Sequence, residues 1–133
     1  MMNAFQNDDF GKLILRLMVG GLMLFHGISK LANGVDGIES MVIAAGLPAV
    51  ITYGIYVAEV VAPILIILGI QVRLSALTIV IAMVGAIYLA HLEDIWKLTK
   101  HGAWGIELQM LFLLSSLSLM FMGSGRYVIT VKK

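Results

Sequence analysis

The sequence predicts an all-α integral membrane protein, a single domain over residues 1–133 built as a bundle of four transmembrane helices with short loops. Hydrophobic residues make up 60% of the chain and charged residues 13%, whereas soluble domains average roughly 45–50% apolar and about 25% charged. A chain of this length cannot bury so much apolar surface in water, because small domains bury only about two-thirds of the surface that they expose when unfolded. The net charge of +1 gives no basic surface of the kind that binds nucleic acids.

The length of the apolar stretches is the second basis for this fold class. The chain has four such stretches, each close to the roughly 20 residues that an α-helix needs to cross a bilayer. They lack the sustained alternation of apolar and polar residues that is typical of membrane β-strands. The predicted spans cover about 12–31, 48–70, 73–91 and 103–122.

Turn signals separate these spans. Asn33-Gly34 predicts the end of the first helix. Pro48 suits the first turn of the second helix, where its missing N–H costs nothing. Residues 38–45, which lie between them, are expected to form a short interfacial helix. The other connections are a tight turn at 69–72, a polar amphipathic loop at 92–102 and a glycine-rich stop at 123–125. Trp96 and Trp104 are expected to be anchors at the membrane interface.

The distribution of Lys and Arg predicts the orientation. With four crossings, both termini and the 69–72 turn lie on one side of the membrane. That side carries more basic residues than the other, and the positive-inside rule therefore places both termini in the cytoplasm. The basic residues are Lys12, Arg16, Arg73, Arg126, Lys132 and Lys133 on the inner side, against Lys30, Lys97 and Lys100 on the outer side.

Ionisable residues inside the apolar spans are the candidate functional residues. They are Arg16, His26, Glu59 and Glu107, with Lys30 at the edge of the first span. A charge at the bilayer centre costs at least about 2.5–3.5 kcal/mol, so such residues usually face the bundle interior and pair with one another. Buried pairs can also be purely structural and fix the helix register.

Helical periodicity and depth predict which of these residues meet. Arg16 and Lys30 share one stripe of the first helix with Gly20 and Gly27, whose missing side chains let another backbone approach. The rise of about 1.5 Å per residue gives the depth of each residue in its span. On this basis the long side chain of Arg16 is expected to reach Glu59, and the two are expected to form an intramembrane ion pair. His26 or Lys30 meets Glu107 in the outer half. Hydrogen bonds from Tyr56, Tyr88 and Gln109 are expected to add to these contacts.

Cysteine is absent from the chain. No disulfide framework, thiol relay, zinc–thiolate site or iron–sulfur cluster can therefore be built from it. No residue spacing predicts a metal site either. A redox role would need a bound cofactor or a partner protein.

The same residues resemble the DoxX family of small four-helix membrane proteins. The resemblance covers nearly the whole chain as an ordered series: Arg16-Leu17 and Gly20, Phe25-His26-Gly27, Lys30-Leu31, Ala58-Glu59, Pro63, Leu68-Gly69, Arg73, Gly105-Ile106-Glu107 and Gly123-Ser124-Gly125. The chain departs from the family pattern where Arg126-Tyr127 replaces a Ser and an acidic residue. The resemblance implies a multi-pass protein of the bacterial inner (plasma) membrane. Relatives are associated with quinone-linked sulfur oxidation, oxidative-stress complexes and the maturation of other membrane proteins.

Three functions stay open at this point. The first is an accessory subunit of a quinone-linked oxidoreductase, with a polar intramembrane site for quinone or a similar lipid; its expected ligand contacts are His26, Lys30, Tyr88 and Glu107. The second is a non-enzymatic interaction or assembly protein whose buried charges are structural. The third is a small-solute or proton pathway. The expected partners are the lipid bilayer, a membrane or soluble redox protein and a second copy of the chain.

Overall fold

The computed structural model describes residues 5–129. Helix α1 covers Asp8–Asn33, the short helix α2 covers Asp36–Ala44, α3 covers Ala49–Leu68, α4 covers Val72–Ala90 and α5 covers Glu107–Met122. Residues 5–129 form no β-strand beyond an isolated bridge between Leu98 and Trp104. The predicted all-α fold is confirmed over this part of the chain.

Helix length decides how many crossings the structure supports. α1, α3 and α4 are each long and apolar enough to cross a membrane. α5 is apolar but has 16 residues, which gives about 24 Å against a hydrocarbon core of roughly 30 Å. The chain is therefore a multi-pass membrane protein, and the fourth crossing stays a prediction.

Helix α5 begins at Glu107, later than the predicted start near 103, because the preceding residues fold into a tight loop. The Trp104 indole donates to the Ile95 carbonyl at 2.7 Å. The Gly105 N–H donates to the Lys97 carbonyl at 2.9 Å. A Cβ at Gly105 would lie 2.4 Å from the Asp94 carbonyl oxygen, so this loop requires glycine there.

Local sequence explains the ends of α1. The Asn7 side chain accepts the Phe10 N–H at 3.0 Å and caps the first turn, where Asp8 and Asp9 complement the helix dipole. The helix therefore begins ahead of the predicted residue 12. It ends as predicted at Asn33, followed by Gly34 with φ 81°.

Helix α3 is irregular, and its irregularity shapes the interior. It opens with a 3₁₀ segment, Ala49–Tyr53, and contains a π-helical turn, Val57–Val61, in which the Ala62 N–H donates to the Val57 carbonyl. Pro63 follows directly and has no N–H to offer the carbonyl of Glu59, four residues earlier. π turns are rare and often lie at functional sites.

The turn between α3 and α4 is as tight as predicted. Gly69 adopts the left-handed conformation with φ 82°. Its N–H donates to the Ile66 carbonyl, and the Ile70 N–H donates to the Leu65 carbonyl. This pair of hydrogen bonds is a Schellman motif, which fixes α4 beside α3.

The core lies where α1, the second half of α3, α4 and α5 meet. α2 instead packs across the end of the bundle at which α1 finishes, against the start of α3 and against α4. Ten buried apolar side chains form this core: Val19, Met23, Ala62, Ile66, Val72, Ala76, Ile79, Met83, Phe112 and Leu119.

Candidate functional site: a cavity beside a buried ion pair

Lys30 and Glu59 form an ion pair between α1 and α3. The Glu59 side chain is 6% exposed and that of Lys30 28% exposed. The carboxylate is therefore held inside the protein, while the lysine reaches it from the rim of the bundle. An ion pair in this setting lets a carboxylate stay charged away from water.

The shape of α3 brings Glu59 to this position. Glu59 lies in the π turn, and Pro63 leaves its backbone carbonyl without the usual helical donor. Gly27 of α1 packs directly on that carbonyl, because a Cβ at Gly27 would lie 2.0 Å from the Glu59 oxygen. The predicted close approach at this glycine is confirmed, and it brings Lys30, one turn further along α1, level with the Glu59 side chain.

Arg16 has other partners than the expected Glu59. Its guanidinium donates to the carbonyls of Ile66 and Ile67 at the end of α3, each at 2.9 Å. It also donates to the carbonyls of Ser124 and Tyr127 in the C-terminal segment, at 3.0 and 2.6 Å. The expected Arg16–Glu59 pair is thus replaced by Lys30–Glu59, because the free carbonyls of a helix end lie nearer to Arg16.

The C-terminal segment is tied to the start of α1 as well. Arg126 lies 3.8 Å from the Asp9 carboxylate. A hydrogen bond to the Tyr127 hydroxyl raises the pKa of Arg126, so its guanidinium stays charged. The end of the bundle at which α1 begins is therefore closed by structural contacts, and the cavity lies at the opposite end.

A cavity of about 680 Å³ lies beside the ion pair. Its wall is mostly apolar, and all five helices contribute to it. The residues from α2 are Ile38, Met41 and Val42. This volume is in the range of small-ligand sites, roughly 300–1,000 Å³. The polar side chains in its wall are His26, Lys30, Thr52, Glu59, Thr78, Tyr88, His91 and Gln109.

Three of the four predicted ligand contacts line this cavity. The His26 ring packs edge-on against Phe112 with the ring centroids 5.7 Å apart. Tyr88 stands in the α4 wall with 62% of its surface exposed. Lys30 enters as the cationic partner of Glu59. The structure therefore brings His26, Lys30 and Tyr88 to one cavity.

Glu107 lies elsewhere. It is the first residue of α5, is exposed, and is absent from the cavity wall, while its neighbours Leu108 and Gln109 line it. Within residues 5–129 its carboxylate has neither an ion pair nor a hydrogen bond. The expected contact of His26 or Lys30 with Glu107 is not formed, because α5 begins later than predicted and turns this residue outward.

Sequence reasoning missed Glu59, Thr52 and His91 as parts of one cavity. Helical periodicity and depth pointed to Arg16 as the partner of Glu59; Pro63, four residues later, was the available signal that the backbone at Glu59 is irregular. Thr52 lies about two helical turns before Glu59, a spacing that puts two residues on one face of a helix. His91 directly follows α4, with its Nδ1 2.9 Å from the Asp94 carboxylate, and no sequence pattern placed it at the cavity.

A comparison with models of known protein families identifies the family to which this chain is related. The family model for DoxX matches residues 11–92, which is more than half of the chain. The chain belongs to the DoxX family. The matched segment of this DoxX protein contains α1 to α4, including His26, Lys30 and Glu59, whereas α5 with Glu107 lies beyond it.

A curated relative supports the same relationship over a longer segment. The DoxX protein is 28% identical over 116 residues to "Putative oxidoreductase CatD" of Bacillus subtilis (strain 168), covering 87% of this chain and 81% of the relative. No solved structure matches the DoxX chain. The family and the relative thus agree with the predicted resemblance.

Proposed function

We propose that this DoxX protein is the membrane subunit of a redox-linked system and binds a quinone or a similar lipid in the cavity beside Lys30 and Glu59. The observation that supports this most is an apolar cavity of about 680 Å³ with a buried ion pair in its wall. Lipid-soluble ligands favour apolar walls with a few well-placed polar groups. The name of the Bacillus relative points to the same class of chemistry.

Each polar side chain has a defined task in this proposal. A bound quinone supplies the electron-carrying ring. The Lys30 ammonium donates a hydrogen bond to one ligand oxygen, and Glu59 keeps that ammonium directed inward. The ring nitrogens of His26 can donate a hydrogen bond to the ligand or accept one from it. Tyr88 contributes a hydroxyl at the α4 wall. Since the chain has no cysteine, electrons pass to or from the bound ring by way of a partner protein or a further bound cofactor.

The proposed setting is the bacterial inner membrane, with α5 as the fourth crossing and both termini in the cytoplasm. A 16-residue helix can cross if the bilayer thins locally or if flanking residues enter the interface, each at a modest cost. Trp96 and Trp104, on the loop before α5, are suited to the outer interface. The end of the bundle that holds the cavity then faces away from the cytoplasm.

The test is ligand binding with a matched pair of carboxylate variants. Glu59→Gln frees Lys30 to turn toward water, and we expect it to weaken binding of a soluble naphthoquinone by at least about tenfold, the worth of one charge-assisted hydrogen bond. Glu107→Gln makes the same chemical change outside the cavity and should bind as the wild type does. Isothermal titration on purified protein in detergent measures both.

The two outcomes separate the competing functions. Equal weakening in both variants would contradict a site at the cavity. A wild type that binds no naphthoquinone and carries no quinone on extraction would favour the assembly protein, in which the Lys30–Glu59 pair serves the fold alone.

A further inference from the structure

Thr52 is the most unusual polar residue of the cavity wall. It lies in the 3₁₀ segment at the start of α3 and is fully buried, with 0% of its surface exposed. Its hydroxyl has no hydrogen-bond partner within residues 5–129. A buried hydroxyl without a partner is costly, so such a group calls for an explanation.

The local backbone explains why Thr52 does not satisfy itself. A helical threonine usually donates to a carbonyl one turn earlier, as Thr78 does to Ser75 at 2.7 Å. The residue one turn before Thr52 is Pro48, whose backbone is extended, with ψ 137°. Thr52 therefore lacks the regular preceding helical turn that Thr78 has, and its hydroxyl is free to donate to a different group.

Thr52 and Glu59 lie on the same side of α3, about two turns apart. At the rise of mixed 3₁₀ and helical turns, their backbones are roughly 11 Å apart along the axis. Both residues line the cavity. The wall thus carries one hydrogen-bonding group at Lys30–Glu59 and a second, unpartnered one at Thr52, with apolar side chains between them. Val57 and Ile55 are among those apolar residues.

We propose that the Thr52 hydroxyl donates to the second oxygen of the ligand, so that the cavity selects a ring with oxygens on opposite edges. This inference rests on the proposed function and narrows its ligand class to 1,4-quinones. A ring with one oxygen can use the Lys30 contact alone. Selection arises because a ligand that lacks the second oxygen leaves the buried Thr52 hydroxyl unpaired.

The experiment compares two probes on the purified full-length protein. The probes are 1,4-naphthoquinone and 1-tetralone, which has one of the two oxygens. Thr52→Val keeps the shape of the side chain and removes the hydroxyl. We expect it to weaken naphthoquinone binding by about three- to tenfold, as loss of one neutral hydrogen bond does, and to leave tetralone binding unchanged. Thr52→Ser should bind naphthoquinone within about twofold of the wild type by the same reasoning.

A stability measurement adds a second, independent expectation. The hydroxyl has no partner in the protein, so the melting temperature of ligand-free Thr52→Val should equal or exceed that of the wild type. Ser116→Ala is the matched control, because Ser116 also carries a fully buried, unpartnered hydroxyl but does not line the cavity. Its affinity for both probes should be unchanged.

Several results would overturn the inference. If Thr52→Val binds naphthoquinone like the wild type while Glu59→Gln binds it weakly, Thr52 has no role and the proposed function stands. If Thr52→Val weakens both probes equally, its effect is on cavity shape and selection by the second oxygen is wrong. If the wild type binds neither probe, the proposed function itself fails.

Discussion

Single buried charges in this protein have two different tasks. Arg16 is 1% exposed and donates to four backbone carbonyls. These hydrogen bonds connect the end of α3 to the C-terminal segment. Glu59 is 5% exposed but lines a cavity and pairs with Lys30, whose side chain is 28% exposed. The first arrangement is saturated by the protein, whereas the second leaves room for a ligand.

The Arg16 contacts predict a large stability effect. Arg16→Met leaves four carbonyls without their charged donor, and we expect the free energy of unfolding to fall by at least about 3 kcal/mol. Arg16→Lys should recover only part of this loss, because an ammonium cannot reproduce the planar fork of donors. Thermal melting in detergent measures these effects. A lysine variant as stable as the wild type would contradict the guanidinium contacts.

A control for Arg16 is available at the same end of the bundle. Arg126 is 68% exposed in its side chain and pairs loosely with Asp9. Exposed pairs of this kind contribute roughly 0–1 kcal/mol, so Arg126→Gln should change the melting temperature little. A drop as large as that of Arg16→Met would show that general positive charge, rather than the carbonyl contacts, stabilises this end.

The Lys30–Glu59 pair predicts coupling between the two residues. Glu59→Gln should lower the free energy of unfolding by roughly 1–3 kcal/mol, below the 3–5 kcal/mol of a fully buried pair because Lys30 can reach water. The double variant Lys30→Gln, Glu59→Gln should lose less than the sum of the single variants. Chemical or thermal unfolding of the four proteins completes the cycle, and strictly additive losses would rule out direct coupling.

At the scale of elements, the crossing of α1 and α3 depends on missing side chains. Gly20 faces the Pro63 carbonyl, with 2.8 Å to a virtual Cβ, and Gly27 faces the Glu59 carbonyl. Backbone carbonyls cannot swing aside as flexible side chains can. The two glycines therefore set the helix separation, and with it the reach of Lys30 to Glu59.

Gly27→Ala should consequently separate α1 from α3. We expect the free energy of unfolding to fall by about 1–3 kcal/mol, the range seen on overpacking a rigid core. Gly21→Ala is the matched control on the same helix, because nothing lies within 4 Å of its virtual Cβ. That change should stabilise by up to about 1 kcal/mol through helix propensity. Equal melting temperatures for the two variants would contradict the close crossing.

At the scale of the whole molecule, three long apolar helices and one shorter helix set the arrangement in the membrane. The cavity lies at the end where α2 crosses the bundle, and the opposite end is closed by the Arg16 and Arg126 contacts. If α5 crosses, both ends of the chain share one side. The orientation then decides which aqueous compartment adjoins the cavity.

The absence of native cysteine allows a direct test of topology. Lys100→Cys, in the exposed loop before α5, should react with a membrane-impermeant maleimide on intact cells. Asp8→Cys, at the exposed start of α1, and Arg126→Cys, after α5, should react only once the cells are broken. Labelling of Asp8→Cys and Arg126→Cys from opposite sides would refute the fourth crossing.

The sequence by itself determined the all-α membrane class, the positions of the long helices and the family, because these depend on apolar run length and on local turn chemistry at residues such as Gly34 and Gly69. It also placed His26, Lys30 and Tyr88 among the polar interior residues. The tertiary structure decided the partners: Glu59 with Lys30, Arg16 with backbone carbonyls, and Glu107 outside the cavity. Periodicity and depth locate a residue on its own helix, whereas pairing depends on how closely the helices cross and on where a helix breaks. Gly27, the π turn and Pro63 fix those distances through contacts between elements that no single stretch of sequence contains.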